Sequence, residues 1–183
     1  MSARPASVLS AQVVPVRAGA PRALGPAAFK RAMRALVSGV TVVAAQDGQG
    51  FSAGLTATAV TSLSADPPSL LVCVNRASAM AEALKPGAAF SVSVLGGSQA
   101  DVAAAFGGQR GLKGAARFAV GQWTRGESGA PLLRGCLVSF ECEAAEVASF
   151  ATHRIVMARV LDAHAGPAGP ALAYRDGRYL SVD

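Results

Sequence analysis

The stretch GLTATAVTSLSADPPSLLVCVNRASAM, residues 54–80, decides how this chain is read. Its first half sets Thr56, Thr58, Thr61, Ser62 and Ser64 among Ala and Gly. Hydroxyls then stand beside side chains too small to cover the backbone, so a ligand can lie close to main-chain amides. Asp66-Pro67-Pro68 forces a turn, because Pro fixes φ and restricts the residue before it. Residues 69–74 (SLLVCV) read as a buried strand. Asn75-Arg76-Ala77-Ser78 turns out of that strand into a short helix over 77–84, stopped by Pro86-Gly87.

Outward from this unit the pattern is strand-rich. Upstream, Pro26-Ala27-Ala28 opens a helix whose Phe29, Met33, Leu36 and Val37 share one face, with Gly39 suited to its C-terminal end. Residues 40–45 (VTVVAA) predict a strand, and Asp47-Gly48 a hairpin turn into further strands over 51–59 and 60–63. Downstream, 90–95 (FSVSVL) alternates as a half-buried strand. Ser98-Gln99-Ala100-Asp101 has the capping-box form for a helix through Phe106. A loop over 107–116 follows, then Arg117-Phe118, Trp123 and a turn at Gly126-Glu127-Ser128-Gly129. Long strands over 137–147 and 153–161 come next, then the loop AGPAGP, 165–170, with His164 exposed beside it. A second Asp-Gly hairpin, at Asp176-Gly177, ends the chain. Many strands joined by tight turns, with three short helices, indicate a mainly β fold, a barrel decorated with helices, and not an alternating βαβ chain.

The 183 residues predict one folded domain over 27–183 behind a flexible arm over 1–26. At 51% hydrophobic and 15% charged residues, the chain can build a sizeable core. The net charge of +6 belongs to one end: residues 1–46 hold six basic residues and no acid, and 47–183 hold 11 of each sign. The neutral body argues against nucleic-acid binding, which needs a basic stripe on the folded surface. An acid-free, Arg-containing start is shared by transit peptides, but the arm has no period and is expected to be flexible. No apolar run approaches the about 18 residues that cross a bilayer, so no membrane span is expected. Three cysteines, Cys73, Cys136 and Cys142, form no CxxC pair and fit a reducing, cytoplasmic setting. Cys136 and Cys142 are expected on one strand face as small buried groups.

Several chemistries are excluded. Gly48-Gln49-Gly50 followed by Gly54 has the wrong spacing for a dinucleotide fingerprint, and a strand follows where a helix is required. No P-loop is present. Gly126-Glu127-Ser128-Gly129 is one residue short of a nucleophile elbow. Two His without H-E-x-x-H spacing give no metal site. The absence of acid, base and nucleophile constellations suits hydride transfer, in which cofactors carry the chemistry and protein supplies position and electrostatics.

With these motifs in order, the chain resembles the flavin reductase-like family, the FMN-binding split-barrel proteins, from about Phe29 to Val182. The resemblance implies a split β-barrel with a few short helices, a homodimer, and a flavin near the subunit interface. It implies an NAD(P)H-dependent flavin reductase using FMN (or FAD) and NADH (or NADPH), which hands reduced flavin to a separate oxygenase. Gly54, Leu55, Thr56, Ala57, Thr58 and Ala59 match the stretch along the isoalloxazine ring. Ser62 matches a hydroxyl of the ribityl or phosphate region. Cys73, Val74 and Asn75 match the strand end under the ring, Ser78 the phosphate-side turn, and Phe118 a pocket residue. His153 matches a histidine near the nicotinamide. Here, though, Ala151-Thr152 precedes it where the family commonly has Gly, and Ala disfavours a tight turn with positive φ. Tyr174 and Arg178-Tyr179 match the family's ending and frame either the cofactor or the dimer edge, or simply finish the sheet. The alternative function is a split barrel that holds flavin or haem tightly. A third is a non-enzymatic module acting through the basic arm.

Overall fold

The computed structural model describes residues 24–46 and 51–183. Asp47, Gly48, Gln49 and Gly50, with the expected first hairpin turn, lie outside the described residues, as does most of the arm. Helix α1 (Pro26–Met33) starts with Pro in its first turn, where the missing N–H costs nothing. It stops at Arg34, short of Gly39, which instead sits in the two-residue strand β1 (Ser38–Gly39). The main sheet has seven antiparallel strands in the order β3-β2-β6-β9-β10-β5-β4. These are β2 (Thr41–Gln46), β3 (Phe51–Ala57), β4 (Val60–Ala65), β5 (Pro68–Asn75), β6 (Ala89–Val94), β9 (Val138–Phe150) and β10 (His153–Ala165). Strand β1 joins β11 (Ala171–Arg175) and β12 (Arg178–Val182) in a second sheet, and β7 (Trp123–Arg125) pairs with β8 (Pro131–Leu133). The architecture is mainly β with a few short helices, as expected: α2 (Ala79–Ala83), α3 (Ala100–Phe106) and a 3₁₀ turn over Gly114–Ala119 that begins in the predicted loop and runs past its end.

Both faces of the sheet centre are covered, so two cores form. On β2, Val43 and Ala45 enter one cluster with Phe90, Met80, Leu84 and Val156; Val42 and Ala44 enter the other with Leu95, Phe106 and Leu172. Alternate side chains point to opposite faces, which makes β2 apolar throughout. The prediction that 90–95 is half-buried fails for the same reason. Ser91 and Ser93 are as buried as Phe90 and Val92. Their hydroxyls are satisfied inside: Ser91 Oγ donates to Pro131 O, and Ser93 Oγ lies 2.7 Å from Ser139 Oγ.

Two further expectations are corrected by local contacts. The cap of α3 is Gln99, whose side chain makes no cap bond; its Oε1 accepts from Gly96 N at 2.9 Å. Cys136 precedes β9 and lies in the second core, while Cys142 lies in the first, so they share no face. His164 is exposed as expected, near the end of β10, where its Nε2 is 2.6 Å from Glu141 Oε1. The Asp176-Gly177 hairpin forms as predicted, with φ of +48° and +82°, as a two-residue type I′ loop demands.

Candidate functional site

Strands β3 and β4 are the two edges of the main sheet, yet only Thr58 and Ala59 separate them in sequence. This link is pinned at both ends. Thr41 Oγ1 donates to Ala57 O at 2.8 Å, and Cys73 N donates to Ala59 O at 3.0 Å. Between those anchors Thr58 and Ala59 are exposed. Two clefts meet at Thr58. The larger, about 380 Å³, is bordered by Thr41, Val60, Thr61, Ser62, Leu70 and Phe140 among others. The smaller, about 230 Å³, is lined by Thr56, Thr58, Gly107, Gln109, Tyr174 and Tyr179.

The strand carrying the link is held from behind. A Cβ at Gly54 would meet Phe106 Cε1 at 2.5 Å, so Gly is required there by ring packing. Phe106, Phe118 and Trp123 form an aromatic cluster with centroids 4.9 to 5.2 Å apart. Arg117 clamps it, its Nη1 donating to Gly54 O at 2.7 Å and its Nε to Leu112 O at 3.0 Å. Thr56 Oγ1 donates to Ala103 O at 2.7 Å, tying β3 to α3. Among the expected contact residues, Gly54 and Phe118 thus belong to this backing. Leu55, Ala57 and Val74 pack in or against the first core.

The remaining candidates divide between two ends of β5. Ser62 pairs with Leu70, and no partner engages its hydroxyl among the described residues. Asn75 lies five residues further, about 17 Å away at the rise of an extended strand. There it pairs with His153 of β10. Cys73 lies between, beside Ala59. Ser78 caps α2: its Oγ donates to Asn75 O at 2.7 Å and accepts from Ala81 N at 3.3 Å. The structure therefore does not bring Ser62 and Ser78 together. His153 is exposed, with Nδ1 2.9 Å from Thr152 Oγ1. The turn before it keeps positive φ despite its sequence, with Ala151 at +47°.

The tyrosine pair was left unassigned by sequence, and the structure puts both rings in the smaller cleft, centroids 5.3 Å apart. The signal was the hairpin itself. Asp176-Gly177 sets Tyr174 opposite Tyr179, which places both on one face. Burial, with Tyr174 nearby, raises the Tyr179 phenol above its usual range.

A separate polar cluster sits under the β7–β8 hairpin. Glu141 is buried; Ser128 N donates to its Oε2 at 2.8 Å and Ser128 Oγ donates to the same oxygen. Burial by itself would raise this carboxyl, but the Ser128 bonds and His164 outweigh it and lower it below the ordinary range. Glu141, Asp162 and His164 offer ligand atoms within 4.8 Å of one another, a grouping that strand pairing creates and no sequence spacing announces. The Cys142 thiol is pushed up to about 12, chiefly by burial and then by Glu141, and is therefore inert as a nucleophile. No helix among the described residues is long and apolar enough to cross a membrane.

Known proteins match this chain along most of its length. The flavin reductase like domain matches residues 33–183. The FMN reductase (NADH) RutF of Pseudomonas syringae pv. syringae (strain B728a) is 35% identical over 175 residues, covering 96% of this chain and 94% of its own. BorF, the flavin reductase component of a bacterial two-component tryptophan halogenase, superposes with a TM-score of 0.77 at 32% identity, over 86% of this chain and 98% of its own. The NADH:FAD oxidoreductase SgcE6 of Streptomyces globisporus C-1027, solved with NAD and FAD fragments, gives a TM-score of 0.76 at 29% identity, over 87% and 96%. With a match spanning the sheet, both clefts and the Thr58–Ala59 link, the chain belongs to the flavin reductase-like family.

Proposed function

We propose that this protein is an NADH:flavin oxidoreductase that supplies reduced FMN or FAD to a separate oxygenase. The observation that carries the reading is the exposed Thr58–Ala59 link, small in side chain and rigidly anchored, where two clefts meet. The residues present fit a flavin. The larger cleft offers the Thr61 and Ser62 positions beside Val60, Leu70 and Phe140, an apolar wall with hydroxyls at one end. When bound, flavin supplies the acceptor for a hydride from the reduced nicotinamide.

The chain's own residues then bind and orient. Thr58 and Ala59 leave main chain open to the ring edge, and Thr41 and Cys73 keep that main chain from yielding. Ser62, whose hydroxyl has no internal partner among the described residues, is the residue we assign to the flavin tail. Ser78, committed to Asn75 and α2, is the weaker candidate. His153, exposed beside Asn75, is the side chain we assign to the neighbourhood of the nicotinamide. We further infer a cytoplasmic homodimer. The apolar face of α1, with Phe29, Met33 and Leu36 exposed, supports a second copy against it.

The test is NADH oxidation by purified protein, followed by loss of nicotinamide absorbance, with FMN, FAD or no flavin added. Turnover only with free flavin is expected. If NADH and NADPH both fail with either flavin, the reading falls, and a tightly held flavin or haem is the replacement.

A further inference from the structure

The polar cluster under the β7–β8 hairpin borders neither cleft at Thr58, and strand register builds it. Strand β10 is bulged between Val160 and Asp162: Val160 pairs with Cys142, and Asp162 with Glu141. In unbroken register Asp162 would stand opposite Phe140. The extra residue, Leu161, re-aims Asp162 onto the position facing Glu141. His164 lies two residues further along β10 and so shares that face.

Glu141 and Asp162 are thus a like-charged cross-strand pair, and Glu141 is buried. Such a pair is unfavourable unless a cation compensates it. His164 faces both carboxylates, its Nε2 2.6 Å from Glu141 Oε1 and 3.6 Å from Asp162 Oδ2, but an imidazole is charged only when protonated. Each carboxylate has one oxygen held by the protein and the other turned to Nε2. Glu141 Oε2 accepts from Ser128 N and from Ser128 Oγ. Asp162 Oδ1 accepts from Ala163 N at 2.7 Å. Hydrogen bonds to the outer oxygen are how proteins orient carboxylate ligands of a metal. Two ligand atoms of a tetrahedral ion stand about 3.3 Å apart. The Asp162–His164 spacing is close to that already. The Glu141–His164 hydrogen bond must open by about 0.7 Å, a movement exposed His164 is able to make. We propose that Glu141, Asp162 and His164 bind one divalent transition-metal ion of the Zn²⁺ type, with water completing its coordination. The imidazole selects against Mg²⁺ and Ca²⁺, which take oxygen ligands. Asp162 and His164 are exposed and give the ion its entry. The bound ion ties β9 to β10 beneath the turn that Ser128 anchors. The proposal is independent of the flavin reductase reading, since none of the three residues borders either cleft at Thr58.

The test uses the full-length chain freed of metal with EDTA. Zn²⁺ is titrated calorimetrically into wild type, Asp162→Asn and His164→Ala. One saturable site per chain is expected in wild type, with Kd raised at least about tenfold in each variant. Zn²⁺ at about a hundred times its Kd raises the wild-type Tm by roughly 5–10 °C, and Mg²⁺ leaves it unchanged. No saturable site in wild type overturns the proposal. So does binding that both variants keep, which would place the ion elsewhere. Binding lost in His164→Ala but kept in Asp162→Asn overturns it too, as the mark of a lone surface histidine. Equal stabilisation by Mg²⁺ overturns the donor set. If a variant fails to fold by circular dichroism, Co²⁺ absorption of the wild type decides: four-coordinate visible bands without thiolate charge transfer support these ligands, and their absence overturns them.

Discussion

Replacing Ala151 by Gly should stabilise this protein, and the size of the effect can be worked out. Ala151 and Thr152 form the two-residue loop between β9 and β10, with Phe150 paired to His153 across it. Ala151 has φ of +47°, and it is exposed, so its methyl group contributes no packing. A non-glycine residue in left-handed backbone costs about 1–2 kcal/mol. Glycine removes that cost but enlarges the unfolded ensemble, which returns about 0.4–1 kcal/mol. The net gain is about 0.5–1 kcal/mol, a rise in Tm of roughly 1–4 °C for a chain of this size. The Arg76 Nη1 bond to Ala151 O, 3.3 Å, involves only backbone at this position and survives. Thr152→Gly is the control. Its φ is not in the left-handed region, and it loses the Oγ1 contact to His153 Nδ1, so it should destabilise. Urea unfolding at one fixed protein concentration measures both, because self-association would otherwise shift the midpoint. A neutral or destabilising Ala151→Gly would refute the reasoning, since no side-chain contact is lost.

Three other outcomes are expected. Thr58→Trp fills the junction of the two clefts and should abolish NADH oxidation with flavin while changing Tm little, because Thr58 is exposed; wild-type turnover would remove the link from the site. Gly126→Ala drives a Cβ to 2.3 Å from the Glu141 carboxyl carbon, and thermal melts should show a loss of about 1–3 kcal/mol. Glu141 has a lowered folded pKa, so its contribution is present above the unfolded value of about 4.3 and is lost as pH falls through the lower folded value. Urea midpoints below that unfolded value should therefore converge between wild type and Glu141→Gln, and differ at neutral pH; a constant gap would show that charge is not what Glu141 contributes.

Much of the fold was legible in residues 54–80 and in the turns. Pro67-Pro68, Asp176-Gly177 and the apolar run of β5 act through local backbone sterics and periodicity, which need no tertiary context. The reading of 90–95 as half-buried failed because alternation reveals side-chain direction and not what lies on either side. Ser91 and Ser93 point away from Phe90 and Val92, yet β8 and Ser139 cover them. His164 is exposed as its place beside the Gly/Pro loop suggests, but its contact with Glu141 was not legible, because Glu141 is remote in sequence and adjacent only by β9–β10 pairing.

The site divides along the same line. Sequence by itself determined that the chain is a strand-rich domain without nucleophile or P-loop, and that small hydroxyl residues over 56–62 leave backbone open; these follow from residue size and spacing. Only the tertiary structure decided that Thr58 stands between two clefts, that Gly54 serves Phe106, and that the C-terminal tyrosines face Thr56. Those relations depend on sheet order and on three elements meeting across long sequence separations, and no local interaction encodes such meetings.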